Sequence, residues 1–233
     1  RRAAGGPVWA FCFILIFAIP SSHNNSGLES VRMPCKDKRK VSKCVAMSEF
    51  PAFETIPGDL ARGLIVLADH ATNKLPPEYG ALGLPPSAFQ RHIAYLLIDP
   101  NRGEDDPTLI MKISDGAIVA GNHPITPQEW QRRITRYHRP YHAAVSRLIS
   151  EATAAASQPP LVISLHSFTP IWKTEARPWH AAVLWDSDPR VPGPLIEALR
   201  RPGDIVIGDN QPYDGALRGD TLYRHCMQPG IAH

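Results

Sequence analysis

Two short apolar runs, each closed by a histidine, constrain the fold of this chain more than any other feature. Gly63 to Ala68 (GLIVLA) leads into Asp69-His70, and Leu161 to Leu165 (LVISL) leads into His166-Ser167. Continuous apolar stretches of this length suit strands of a parallel sheet covered by helices on both faces. Leu96 to Ile98, Ala181 to Trp185 and Ile205 to Ile207 are further strand candidates, ending at Asp99, Asp186 and Asp209-Asn210. Polar endings of this kind collect at the carboxyl edge of an open α/β sheet, the edge where ligands bind. Between the strands, the spacing predicts helices over Ser87 to Tyr95, Pro127 to about Ala156 with a break near Pro140, and Pro194 to Arg201. The expected fold is a single α/β domain, its central sheet mostly parallel or mixed, with helices on both faces.

The first 46 residues differ from the rest. They carry eight Lys or Arg against two acids, net +6, whereas residues 47–233 carry seventeen against twenty, net −3. A slightly acidic body with scattered charge lacks the basic footprint of nucleic-acid binding. Three of the four cysteines, Cys12, Cys35 and Cys44, also lie in this segment, and so does the longest apolar run, Val8 to Ile19. After Arg1-Arg2 that run has the outline of a secretory signal but is short for a membrane span. Residues 1–46 are therefore expected to be a leader or a mistranslated upstream segment outside the fold, with Met47 as the start and a cytoplasmic location. Secretion is the alternative if the leader is a true signal. The lone downstream Cys226 suits a reducing compartment.

Ten histidines invite a search for chemistry. His70 and His166 would meet at one sheet edge if their strands were neighbours. Zinc suits imidazole-plus-carboxylate ligation with a position open for water, and Asp69 is a further candidate ligand or orienting partner. The alternative is that each histidine caps its strand. His138 and His142 have i,i+4 spacing, but Pro140 lies between them and Arg139 stands where a zincin places its Glu, so a helix-break role is the stronger reading. His92 could orient a ligand, and His180 reads as structural. Asn101-Arg102 could grip a substrate carboxylate through a planar guanidinium and an amide donor. Pairing of Arg102 with Glu104, Asp105 or Asp106 is the competing reading. No P-loop, G-x-G-x-x-G, G-x-S-x-G or C-x-x-C occurs in the sequence, which removes the usual warrants for nucleotide, serine-hydrolase and thioredoxin chemistry.

An ordered set of strings is more specific than any one of these. Leu67-Ala68-Asp69-His70-Ala71-Thr72-Asn73-Lys74-Leu75-Pro76, Arg91-His92-Ile93-Ala94-Tyr95, Ile98-Asp99-Pro100-Asn101-Arg102, Gly121-Asn122, His166-Ser167-Phe168-Thr169-Pro170, Arg177-Pro178-Trp179-His180 and Asp209-Asn210-Gln211-Pro212-Tyr213 resemble the N-formylglutamate amidohydrolase family across 47–233. That family is similar in fold to the zinc carboxypeptidase and aspartoacylase group, a phosphorylase/hydrolase-like α/β architecture. The resemblance implies zinc-dependent hydrolysis of a small N-acyl amino acid, most simply N-formyl-L-glutamate to formate and glutamate. It implies zinc held by His70 and His166, and a substrate carboxylate held by Asn101 and Arg102, with His92 and Arg177 as further substrate-binding candidates. The expected partner is that small carboxylate substrate, with no membrane and no nucleic acid.

The chain departs from the family pattern in three places. Asn73 stands where the wider group carries the Glu of an H-x-x-E motif, leaving the third ligand unassigned. Tyr95 runs directly into Leu96, as though some 25 residues bearing an Asp, a helix and a strand were missing. The Glu that the resemblance implies as general base is expected beyond His233. These departures support an alternative, an inactive fragment or pseudoenzyme that keeps a carboxylate pocket.

Overall fold

The computed structural model describes residues 50–84, 94–114, 116–172, 174–187 and 189–227, together with the backbone of 11–18. Among the described residues, nine strands run in chain order: β1 Phe11–Ala18, β2 Leu64–Leu67, β3 Ile113–Ser114, β4 Ala117–Ile118, β5 Leu161–Phe168, β6 Ile171–Trp172, β7 Glu175–Ala176, β8 Ala181–Leu184 and β9 Ile207–Asp209. Five of them form one sheet in the order β2-β5-β1-β8-β9, and the others form two small hairpins. β5 is parallel to both β2 and β1, β8 is antiparallel to β1, and β9 is parallel to β8. The sheet is therefore mixed. Its middle position is taken by the backbone of β1, with Phe11 opposite Leu161 and Ala18 opposite Phe168. That strand comes from the segment whose composition sets it apart.

The α-helices among the described residues are α1 Ala94–Leu97, α2 Pro127–Arg133, α3 Arg139–Ala156 and α4 Pro192–Arg200. Thr126 accepts a bond from the Glu129 amide at 3.2 Å, and Pro127 opens α2 where no intrahelical donor is needed. A π-helical turn, Ile134–His138, joins α2 to α3, so the irregularity lies one turn before Pro140, which the first turn of α3 accommodates. Along α3, His142, Val145, Ile149 and Ala152 are buried, the spacing of one helical face. That face packs with Ile65, Leu67, Val162, Ala182 and Leu184 on one side of the sheet. On the other side, Ile196 of α4 packs with Ala181, Val183 and Ile207. β8 alternates between the two clusters and is buried throughout, as the apolar-run argument expects of a covered strand.

Two expectations change. Leu64 and Val66 are exposed, because β2 lies at the sheet edge and buries only Ile65 and Leu67. Leu96 to Ile98 does not form a strand: Leu96 and Leu97 end α1, and all three residues pack with Leu109, Ile110 and Ile134 in a separate core. A three-residue apolar run does not by itself distinguish helix from strand. The predicted helix over Ser87 to Tyr95 falls largely on 85–93, outside the described residues. Among the described residues, no helix is long and apolar enough to cross a membrane.

Candidate active site at the sheet edge

Parallel pairing places Leu67 opposite Ser164, so two residues further on Asp69 arrives beside His166. The chain then brings His70 over the same edge, with its ring centroid 5.1 Å from that of His166 and 5.0 Å from that of Tyr95. Each histidine has a carboxylate. His70 Nε2 lies 2.8 Å from Asp99 Oδ1, and His166 Nε2 lies 3.3 Å from Asp69 Oδ2. A carboxylate accepts, so His70 Nε2 carries hydrogen; Ser164 Oγ gives its own hydrogen to Asp69, so His166 Nε2, 3.0 Å from that hydroxyl, donates to it.

Asp69 is the buried centre. Thr221 Oγ1 donates to its Oδ1 at 2.9 Å, Ser164 Oγ donates to its Oδ2 at 2.9 Å, and the Tyr141 hydroxyl donates a short bond to Oδ1. Burial alone would raise its pKa, but the hydrogen bond and charge of His166, with the Tyr141 bond, hold it well below the usual carboxylate range. Burial and the Asp69 charge push the Tyr141 hydroxyl far above its ordinary value, so Tyr141 remains a donor. Burial pulls His70 downward, but the hydrogen bond and charge of Asp99, helped by Asp69, leave it above the ordinary histidine value. Asp220, with a buried side chain, accepts from the Tyr223 amide at 2.7 Å. Burial, with Asp69 adding to it, pushes its pKa up to about 6.

The loop after α1 supplies the second half of the site. Asp99 Oδ1 accepts from the Asn101 amide at 2.8 Å, and Asn101 Oδ1 accepts from the Thr221 amide at 2.9 Å. Asn101 is thus a buried brace that ties the loop to the segment carrying Thr221. Arg102 lies beside Asp99 Oδ2 at 3.9 Å and keeps 36% of its side chain exposed. Of the three carboxylates that could compete for Arg102, Glu104 pairs with Arg139 at 2.8 Å. Beneath the loop, buried Arg133 donates to the carbonyls of Leu97 at 2.9 Å and Gly121 at 3.0 Å, and to Asn122 Oδ1 at 2.6 Å. Asn122 in turn donates to the Leu96 and Met111 carbonyls, both at 2.7 Å. Gly121-Asn122 therefore serves the scaffold.

Arg177 is placed elsewhere on this edge, among the rings of Tyr213, Trp172 and Phe168 at 5.1, 5.5 and 5.8 Å, within cation–π range. His92 lies outside the described residues. His180 accepts from the Val206 amide at 2.9 Å, a structural role. Ser164, Tyr141, Thr221 and Asp220 were not singled out from sequence. Ser164 carried a usable signal, because it stands two residues before His166 and shares its strand face.

The zinc centre requires correction. Among the described residues, no group of three or more His, Cys, Asp or Glu side chains is disposed to hold a metal ion. Of the donors expected to do so, Asp69 already receives a hydroxyl donor on each of its oxygens. The reading of the chain as a zinc-dependent, metal-dependent amidohydrolase, with zinc as its cofactor, is withdrawn on this donor set.

The chain matches the family model described as N-formylglutamate amidohydrolase over residues 87–233. Among solved structures it is similar to a gene product of Agrobacterium tumefaciens, with 23% identity, a TM-score of 0.66 and coverage of 74% of this chain and 79% of that one. It is also similar to the N-formylglutamate amidohydrolase from Ralstonia eutropha JMP134, with 24% identity, a TM-score of 0.52 and coverage of 76% and 81%. At these identities the two likenesses speak for the fold. No curated protein sequence matches the chain.

Proposed function

The chain belongs to the N-formylglutamate amidohydrolase family, and from that premise we propose that it hydrolyses the formamide of a small N-formyl amino acid, N-formyl-L-glutamate being the first substrate to try. The observation that carries this reading is the pair of carboxylate-backed histidines at one sheet edge, with a half-exposed arginine on the adjoining loop. Arg102 grips the substrate carboxylate through charge-assisted bonds, and Asn101 holds the loop that presents it. With the Nε2 hydrogen of His166 turned toward Ser164 and Asp69, the tautomer that leaves Nδ1 unprotonated offers that nitrogen as a proton acceptor. It takes a proton from water as the oxygen adds to the formyl carbon. His70, whose charged form Asp99 favours, stabilises the oxyanion that forms. The proton on His166 then passes to the departing nitrogen, releasing formate and the free amino acid.

We assign the amidohydrolase-like unit to 47–233, which the family match over 87–233 supports, with β1 of 11–18 adding a strand to its sheet, and infer the architecture of the zinc carboxypeptidase-like group for it. A cytoplasmic location is part of the same reading, and buried, unpaired Cys226 suits it. Arg177 is proposed as a second anion contact for the substrate.

The test is to incubate purified protein with N-formyl-L-glutamate and quantify formate and new primary amine. Equal release of both supports the reading. No release, with a dicarboxylate such as glutarate still bound, favours the inactive, carboxylate-binding alternative.

A further inference from the structure

Behind the Arg102 loop, three histidines form a chain that the hydrolytic reading leaves unused. His138 closes the π-helical turn, His142 lies in the first turn of α3, and His225 lies in the π-helical turn Tyr223–Met227. Their exposures are 1%, 3% and 8%. His138 Nε2 is 2.8 Å from the Arg102 carbonyl oxygen and 3.1 Å from His142 Nε2. His142 Nδ1 is 2.7 Å from His225 Nε2, and His225 Nδ1 is 3.1 Å from Ser146 Oγ.

Only one arrangement of protons satisfies this sequence of contacts. A carbonyl only accepts, so His138 carries its hydrogen on Nε2. His142 must then face it with a lone pair on Nε2 and place its own hydrogen on Nδ1. His225 accepts that hydrogen on Nε2 and donates from Nδ1 to Ser146. His138 Nδ1 is buried without a hydrogen-bond partner, with Glu104 Oε1 at 3.8 Å, and carries no hydrogen in this arrangement. A proton added to His142 or His225 would set two N–H groups against each other. Burial, followed by repulsion from neighbouring charges, lowers the pKa of His142 to about 2 and that of His225 to about 4. Burial also lowers that of His138, with Arg224 adding to the effect against Glu104 and Asp99.

We propose that His138, held in one tautomer by His142 and His225, is a positioning residue for Arg102, fixing the backbone that carries the carboxylate-gripping guanidinium. This deepens the proposed function and rests on its assignment of Arg102. The chain reaches into the site without touching the reacting atoms, and it recruits the C-terminal turn and α3 to hold one carbonyl.

The test uses glutarate as a probe that needs no chemistry. Its Kd is measured by calorimetry on the full chain for the wild type, His138→Leu and His138→Gln, whose amide Nε2 can replace the imidazole donor. His138→Leu is expected to weaken binding about tenfold, the loss of one well-made hydrogen bond, with His138→Gln returning to within about threefold of wild type. Should His138→Leu fold poorly, His225→Phe provides the remote version, with a smaller weakening in the same direction. Nitrogen-15 spectra of the wild-type imidazoles report the tautomers directly: Nε2–H for His138, and Nδ1–H for His142 and His225. Unchanged glutarate binding in His138→Leu, failure of glutamine to rescue, or an Nδ1–H tautomer at His138 would overturn the proposal. Formate release is scored separately: its absence, with the glutarate pattern intact, removes the hydrolase reading and leaves the positioning role standing.

Discussion

Two histidine clusters among the described residues differ in what each ring faces. At the sheet edge, His70 faces Asp99 and His166 faces Asp69. Behind the Arg102 loop, His138, His142 and His225 face one another. A carboxylate partner holds His70 above its ordinary pKa despite burial, while burial, with repulsion from Arg224 and neighbouring histidines, holds His142 and His225 far below theirs. One cluster can carry charge and move protons. The other stays neutral and can only hold a shape. Residue type is common to both, so the partner on the far side of each ring decides the role.

Substitution is expected to have its largest effect at Asp69. Its carboxylate receives Thr221, Ser164 and Tyr141 and orients His166. Asp69→Ala should therefore cost about 3–5 kcal/mol in urea unfolding, because three buried donors lose their acceptor, and formate release should fall with it. An unchanged unfolding midpoint would mean that the network is not the anchor described here.

Acid sharpens the contrast. Unfolded histidine binds its proton near 6.5, whereas folded His225 does so near 4. In that interval the unfolded chain holds more protons, so His225 alone should contribute a loss of about 3 kcal/mol as pH falls from 6.5 to 4. His70 has the opposite sign: its stabilisation is complete below 6.5 and disappears as pH rises through its elevated folded value. Urea unfolding of the wild type and His225→Phe between pH 4 and 8 should show the acid-side slope flattened in the variant. An identical slope in both would remove His225 as its source.

Smaller effects follow at the loop and beside the site. Arg102→Leu should raise the KM for N-formyl-L-glutamate about 10- to 100-fold, with kcat much less affected. Equal losses in both would point away from ground-state carboxylate binding. Asp220 is raised to about 6, so its charge destabilises the fold at pH 7.5. Asp220→Asn should stabilise the protein there by about 1 kcal/mol, the gain being reduced because the charge also favours the turn it caps. A loss of stability would contradict the burial argument.

Much of the sheet edge was legible in the chain. The runs before His70 and His166 became β2 and β5, and parallel pairing of neighbours brought the two rings together. Asn101-Arg102 emerged beside them because a polar string after an apolar run marks a loop near the carboxyl edge. Leu96 to Ile98 misled, since three apolar residues satisfy a helix end and a strand equally. The partners that define the site's electrostatics could not be read locally. Tyr141 reaches Asp69 across 72 residues and Thr221 across 152, and no pattern of period 2 or 3.6 connects such positions. For the same reason His138 and His142 looked like a weak metal motif, and only His225, 83 residues beyond His142, shows what they hold.

The account rests on His166 as the proton acceptor of a hydrolytic site, and the most direct measurement is formate release from N-formyl-L-glutamate by the wild type and His166→Ala, with circular dichroism recorded on both. The account predicts steady release by the wild type and a fall of about 10²- to 10⁴-fold in the variant with an unchanged spectrum. Release by His166→Ala at the wild-type rate would contradict it.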